Sequence, residues 1–331
     1  MNKISRVVFM CLIFGFSALF ITSCGPTRIK LYPDAEDPLL EFTIQGYDYE
    51  KIAVIPITGF LSNAPQEAFM YTKPGTVQEF KAQLSLAAKD KNVQAIILKI
   101  NSPGGTATAS DILYHELMSF KKHTGKKVIA IMMDVAASGG YYVALPADII
   151  IAHPTTITGS IGVVMFNLQL KELMNKIGVD MRVSKSGKNK DMGSPFRKPS
   201  QREKDLLQDM TKQMGNQFLS LVKKHRHPDT RQFEQISSAR IFSAKDALDM
   251  NLVDQIGYID DAITAAINLA RLPDNPTIIM YRRVYYPNDN LYNTMASQIS
   301  QKPLSLINIE LPGHLAHLDD GFYYLWAPGI K

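Results

Sequence analysis

Residues 127–145 read KVIAIMMDVAASGGYYVAL: an apolar run, then Asp134 and the small residues Ala136, Ala137, Ser138, Gly139 and Gly140, then a second apolar segment. The run before Asp134 has the continuous branched character of a strand buried on both faces, and the segment after Ser138 suits a short helix. One hydroxyl thus stands at a strand-to-helix junction, among residues with almost no side chain. Another backbone, or a substrate, can come very close there.

The same alternation extends in both directions. KIAVIPI (51–57), VQAIILKI (93–100) and DIIIAH (148–153) predict further buried strands. TVQEFKAQLSLAAKD (76–90) predicts a helix with a capping signal at Thr76 and Glu79, and ASDILYHELMSFKKH (109–123) predicts another. NSPGGT (101–106) reads as a tight turn and TTITGSIG (155–162) as a loop; LQLKELMNKIG (168–178) follows as a helix and VDMRVSKSG (179–187) as a strand. Strands and helices alternating in this way specify an α/β fold with largely parallel strands. SQREKDLLQDMTKQMGNQFLSLVKKHR (200–226) is one long helix opened by a Ser200–Glu203 capping box, its methionine and leucine stripe expected in the core. Two helices, SAKDALDM (243–250) and DDAITAAINLARL (260–272), lead to a boundary near Pro273. The rest, including GFYYLWAPGI, has strand-like and aromatic pieces without readable chemistry.

A chain of 331 residues, 46% apolar and 20% charged, is long enough for a substantial core and ordinary enough to be globular. Its first 24 residues form an export signal: a basic start at Lys3 and Arg6, an apolar run over 7–21, then Ile21-Thr22-Ser23-Cys24. Those last four residues resemble a bacterial lipobox, in which Cys24 is lipidated; an uncleaved spanning anchor is the alternative. Residues 25–50, rich in proline and charge, read as a tether. The body is then expected on the periplasmic or extracytoplasmic side of a bacterial envelope, attached to the membrane. Cys11 and Cys24 are the only cysteines and both lie in this leader, which excludes cysteine catalysis, a disulfide framework and a cysteine metal site in the body. The net charge of +5 is mild, and the basic residues are not interleaved with stacking aromatics, so a nucleic-acid partner is not expected.

Ser138 stands where a nucleophile gains exposure at a strand end and backbone N–H groups from a helix start. Ala136 breaks the Gly-x-Ser-x-Gly pattern of a hydrolase elbow, and taken alone the serine is equally well a helix N-cap. NSPGG and the serine loop both follow predicted parallel strands and so meet at one sheet edge, where the N–H groups of Gly105 and Gly139 suit an acyl-transfer oxyanion. The histidines are poor bases: His115 and His123 fall on a helix, His225 and His227 at a basic helix end, His314 and His317 in the tail. His153 alone closes a strand. A lysine replaces histidine when burial lowers its pKa from about 10.4. Lys190 in SKSGKNKDMGSPF is the candidate, with Lys185 and Lys188 as alternatives.

NSPGG (101–105), AASGGYYVALPADIIIAHPTTITGSIGV (136–163), KSGKNKDMGSP (185–195) and ARIFSAKDALDMNLVDQIGYIDDAI (239–263) together resemble the serine-lysine signal peptide peptidases of the protease IV (SppA) type, short single-unit members. The resemblance covers residues 51–272 and leaves 273–331 as an extension of unknown role. It implies a ClpP/crotonase-like spiral of ββα units. It also implies Ser138 as nucleophile, Lys190 as general base, Ser160 bonded to the lysine amine, and Gly105 and Gly139 as oxyanion donors, with no metal or organic cofactor. The substrates implied are extended hydrophobic peptides such as released signal peptides. The assembly implied is a homo-oligomeric ring on the membrane in which Ser138 and Lys190 of one site come from neighbouring subunits. A spanning anchor is commoner in that family than a lipobox, and Ala239-Arg240-Ile241 replaces its usual GRV. The alternatives are a peptidase of envelope proteins, acyl-CoA chemistry on the same scaffold, and a catalytically silent membrane scaffold; an exported location speaks against the second.

Overall fold

Strands apolar along their whole length need cover on both faces, and the computed structural model provides it. The structure describes residues 37–67, 72–293 and 321–326. The leader, Cys24, most of the tether and much of the tail lie outside the described residues. In chain order the elements begin β1 (Leu40–Gln45), β2 (Lys51–Leu61), β3 (Gln66–Glu67), β4 (Thr72–Lys73), α1 (Thr76–Lys89), β5 (Val93–Thr106) and α2 (Ala107–Thr124). Next come β6 (Lys127–Ala137), α3 (Gly139–Ala144), β7 (Ile149–Ala152), β8 (Ile157–Gly159), β9 (Val164–Phe166), α4 (Lys171–Ile177) and α5 (Gln201–Arg226). Then follow α6 (Thr230–Ser237), β10 (Ile241–Ser243), α7 (Ala244–Asp249), β11 (Gln255–Ile256), α8 (Ile259–Ala270), β12 (Thr277–Arg282) and β13 (Gly321–Leu325).

The sheet runs β1-β12-β2-β5-β6-β7-β11, every pair parallel except β1–β12. One face carries Ile55, Leu98 and Val128 against the helical layer of Phe80, Leu113 and Tyr142; the other carries Ile97, Ile129 and Ile131 against Ile259 and Ala266 of α8. Long strands change partners along their length. β6 pairs with β7 over Ile129–Met132 and then, past Asp134, with β8 over Val135–Ala137. With helices packed between successive strands on both faces, this branching sheet is the expected α/β class and fits the expected ClpP/crotonase-like fold.

Several local expectations are corrected. NSPGGT is no turn: β5 stays extended through Thr106, keeping β2 as neighbour while it leaves β6 after Ser102. Pro103, which has no N–H to donate, falls where that pairing ends. Thr76 does not cap α1; its hydroxyl donates to the Phe60 carbonyl, and Glu79 instead binds Arg283 at 2.7 Å. The predicted capping box of α5 is present at Ser200 and Glu203. Its methionine and leucine stripe is not core, since Leu206 and Met210 face solvent and only the second half, through Phe218 and Val222, reaches the body. Residues 179–187 form no strand: Val179, Met181 and Val183 are half exposed and pair with no strand among the described residues. The boundaries at residues 50 and 273 do not delimit the sheet, because β1 and β12 are both part of it.

Candidate active site

The departure of β5 from β6 opens a slot at the carboxyl ends of parallel strands, the usual place for a ligand in such sheets. Ser138 lies at that split. Its backbone is at φ 52°, ψ −115°, a left-handed value that a non-glycine residue adopts at a cost of about 1–3 kcal/mol. The conformation is held by the Ser138 N–H donating to Gly159 O at 2.7 Å and by Tyr142 N–H donating to Ser138 O at 2.9 Å. Ser138 occupies the N-cap position of α3, yet its hydroxyl caps nothing. It is 1% exposed and its Oγ has no hydrogen-bond partner among the described residues. The N-cap role that the sequence left open is therefore not the one this serine plays.

Small residues bring the two loops together. A Cβ on Gly104, which sits at φ +103°, would stand 2.8 Å from the Gly139 amide nitrogen and 2.0 Å from the Tyr324 carbonyl oxygen. A Cβ on Gly139 would meet Ser110 Oγ at 2.4 Å. Gly105 faces the β2 backbone at Leu61, so Gly104 is the residue whose α-carbon looks onto Gly139. Ser160 follows Gly159, which holds Ser138; its own N–H donates to Arg240 O at 2.8 Å.

Lys190 is exposed, in the irregular segment between α4 and α5, and no hydrogen bond joins it to Ser138 within this chain. Its neighbour Asp191 is pinned: Arg197 binds it at 2.8 Å and Lys185 at 2.6 Å, and Arg197 also binds Glu203 in the first turn of α5. Hydrogen bonds from Arg197, then Lys185, hold the Asp191 carboxyl well below the usual range. Lys185 is thus engaged in an ion pair. His153 is occupied by Thr155, 2.8 Å from its Nδ1, and by the edge of Tyr258.

An aromatic box adjoins the serine. Tyr142 of α3 packs edge-on against Phe218 of α5 and Tyr114 of α2, and donates to Asp111 at 2.7 Å. Burial, then that bond, raises the Tyr142 phenol far above its ordinary value. Behind it Tyr114 hydrogen-bonds His225 at 2.8 Å, and burial, reinforced by Lys224, lowers that imidazole to about 4. The phenols and the imidazole are neutral near pH 7, which makes their faces an apolar lining. Inside the box lies Tyr324 of β13, stacked on Tyr142 with ring centroids 5.0 Å apart. Sequence reasoning missed this box and its occupant, because the partners come from helices far apart in the chain; the alternating aromatics of GFYYLW were the one available signal.

Residues 120–273 match peptidase family S49. The chain is 32% identical over 253 residues to a protein of Enterococcus faecium that provisionally bears the name signal peptide peptidase SppA, covering 76% of this chain and 73% of that one. It is 34% identical over 210 residues to Protease 4 of Haemophilus influenzae, with 63% of this chain aligned to 34% of that larger protein. Among solved structures, a serine-to-alanine mutant of the 1510-N membrane-bound stomatin-specific protease overlaps 72% of this chain and all of its own, with a TM-score of 0.47 and 16% identity.

Proposed function

This chain belongs to peptidase family S49 and is a serine protease of the SppA type, and from that premise we propose that it cleaves extended hydrophobic peptides, released signal peptides among them, through an acyl-enzyme on Ser138. The observation that carries the assignment is the Ser138 hydroxyl: buried, without a hydrogen-bond partner among the described residues, on a strained backbone and at the point where Gly104 and Gly139 approach each other. A hydroxyl in that state costs stability, and none of the described residues makes structural use of it.

In the proposed reaction a neutral Lys190 amine takes the Ser138 proton as Oγ attacks the scissile carbonyl carbon, and the N–H groups of Gly105 and Gly139 receive the oxyanion. Lys190 then gives the proton to the leaving amine; a water, deprotonated by the same amine, releases the acyl group. Ser160 orients the amine. Lys190 comes from a neighbouring subunit. Support for this lies in its exposure and in the exposed apolar side chains of the flanking stretches of chain, Leu173, Ile177, Val179 and Met181 before it and Leu206 and Met210 after it. A patch of that kind on one chain suits burial by a second copy. A membrane-attached, extracytoplasmic body is part of the same reading; it rests on the leader, and no helix among the described residues is long and apolar enough to cross a membrane.

Turnover of a fluorogenic apolar peptide tests the proposal. Wild type should cleave it, and Ser138→Ala and Lys190→Ala should each lose activity by about 10³-fold or more. Full activity in the lysine variant would overturn the assignment of the base.

A further inference from the structure

The slot beside Ser138 is filled by the chain itself. β13 is antiparallel to β5, with Tyr323 opposite Thr106, Tyr324 opposite Gly105 and Leu325 opposite Gly104. On its other edge it is antiparallel to β9, with Gly321 opposite Phe166 and Tyr323 opposite Val164. The Trp326 N–H extends the ladder by donating to Pro103 O at 2.8 Å. Side chains alternate as in any strand. Tyr324 turns into the aromatic box, between Tyr142 and Phe218, each 5.0 Å away, and its hydroxyl donates to Met214 O at 3.2 Å. Tyr323 turns the opposite way, onto Phe60 and Phe166. The Tyr324 carbonyl crowds both Gly104 and Gly139.

An extended peptide bound by strand addition has these properties: main-chain pairing on each side, and pockets for alternate side chains. The segment Gly-Phe-Tyr-Tyr-Leu-Trp is uncharged and apolar, the chemistry proposed for the substrate. A permanent strand here would leave the nucleophile useless, since Ser138 is 1% exposed and no peptide reaches it until a neighbouring segment moves. β13 is short, and it lies across the glycines next to that serine. We propose that residues 321–326 are a built-in substrate mimic that occupies the peptide groove and holds the enzyme latent, and that the Tyr142–Phe218 box is a specificity subsite for an aromatic side chain. This rests on the peptidase reading above. A strand tethered to its own groove acts at an effective concentration of about a millimolar, so a segment whose free counterpart binds at about 100 µM suppresses activity about tenfold.

Two full-length variants test it. Tyr324→Ala empties the box, and Trp326→Pro removes the donor to Pro103 without touching the box. Both should raise kcat/KM on an apolar fluorogenic peptide about tenfold or more. The free peptide GFYYLW should inhibit both competitively. Hydrogen exchange at residues 104–106 and 164–166 should be slow in wild type, fast in the variants, and slow again when GFYYLW is added. Unchanged or lower kcat/KM in both variants, at an unaltered melting temperature, would make β13 a permanent strand of the sheet and overturn the proposal. If wild type and variants all fail to turn over, the peptidase reading fails separately, and exchange alone decides: protection of 104–106 by the peptide supports the mimic, and its absence overturns it.

Discussion

Gly104→Ala probes the joint between the two glycine loops. The added methyl would stand 2.0 Å from Tyr324 O and 2.8 Å from Gly139 N, both under the 3.0 Å that Cβ contacts essentially never breach. Both obstacles are backbone, so neither escapes by turning a side chain; one strand must shift by about an ångström, a misplacement that costs about 100-fold in rate. The φ of +103° adds about 1–3 kcal/mol of backbone cost to folding. The methyl displaces β13 and an incoming peptide alike, so kcat/KM should fall about 100-fold, roughly 3 kcal/mol of transition-state stabilisation, in contrast to the rise expected on removing Tyr324. Gly125→Ala is the control: φ is +69° with nothing within 4 Å, so it carries the backbone cost alone and should leave kcat/KM within about twofold. Turnover of an apolar peptide, with melting temperatures of both variants, decides. Gly104→Ala at near wild-type activity, or Gly125→Ala falling with it, would refute the packing argument.

Mixing Ser138→Ala and Lys190→Ala subunits should restore activity if each site draws on two chains. With random assembly at equal amounts, about one quarter of the sites pair an intact serine with an intact lysine, and no recovery would mean the dyad is not shared. Ser138→Gly should abolish turnover while raising the melting temperature, because it relieves the positive φ and removes a buried unpaired hydroxyl, each worth about 1–3 kcal/mol; a lowered melting temperature would contradict the strain assigned to Ser138. Hydrogen bonds from Arg197 and from the Ser200 amide hold Glu203 down at about 2, and Asp191 is likewise depressed, so the anchoring of the Lys190 segment is complete above the unfolded carboxylate values near 4. It is lost as pH falls toward about 2. Pepsin cleavage within 179–200 should therefore accelerate steeply over that interval, and a rate that follows pepsin's own pH profile would count against the anchor.

Local pattern made much of this chain legible, and the losses have a common origin. Val128–Met132 read as a buried strand because both its faces are covered within the chain. Ser200 and Glu203 were readable because a capping box is complete within four residues. Thr76 and Glu79 carry the same signature, but Phe60 and Arg283 compete for their side chains from elsewhere in the sequence. NSPGG carries turn residues, yet β2 on one edge and β13 on the other keep it extended, a tertiary override no short window contains. Of the site, Ser138 and the glycines next to it stood out as small residues at a strand end. Gly104's approach to Gly139, the Tyr142–Phe218 box and the strand that fills it depend on contacts between segments well separated in the chain, which no short window contains.

The split of β5 from β6 accounts for the strain, the slot and its occupant together. Up to Ser102 the two strands satisfy each other; beyond it β6 turns to β8, and the edge of β5 over Gly104–Thr106 would be left with unpaired N–H and C=O groups. Unpaired edges recruit strands. The β6–β8 pairing ends at Ala137, one residue before Ser138 takes its left-handed conformation, which puts the proposed nucleophile beside a strand-hungry edge. Any extended segment that pairs with that edge is carried past the hydroxyl, whatever its side chains. Selectivity is then left to the pockets, and the aromatic box of Tyr142 and Phe218 is the one that receives Tyr324 of β13. On the proposed reading the chemistry depends on an edge left open by topology, and its control on which strand closes it.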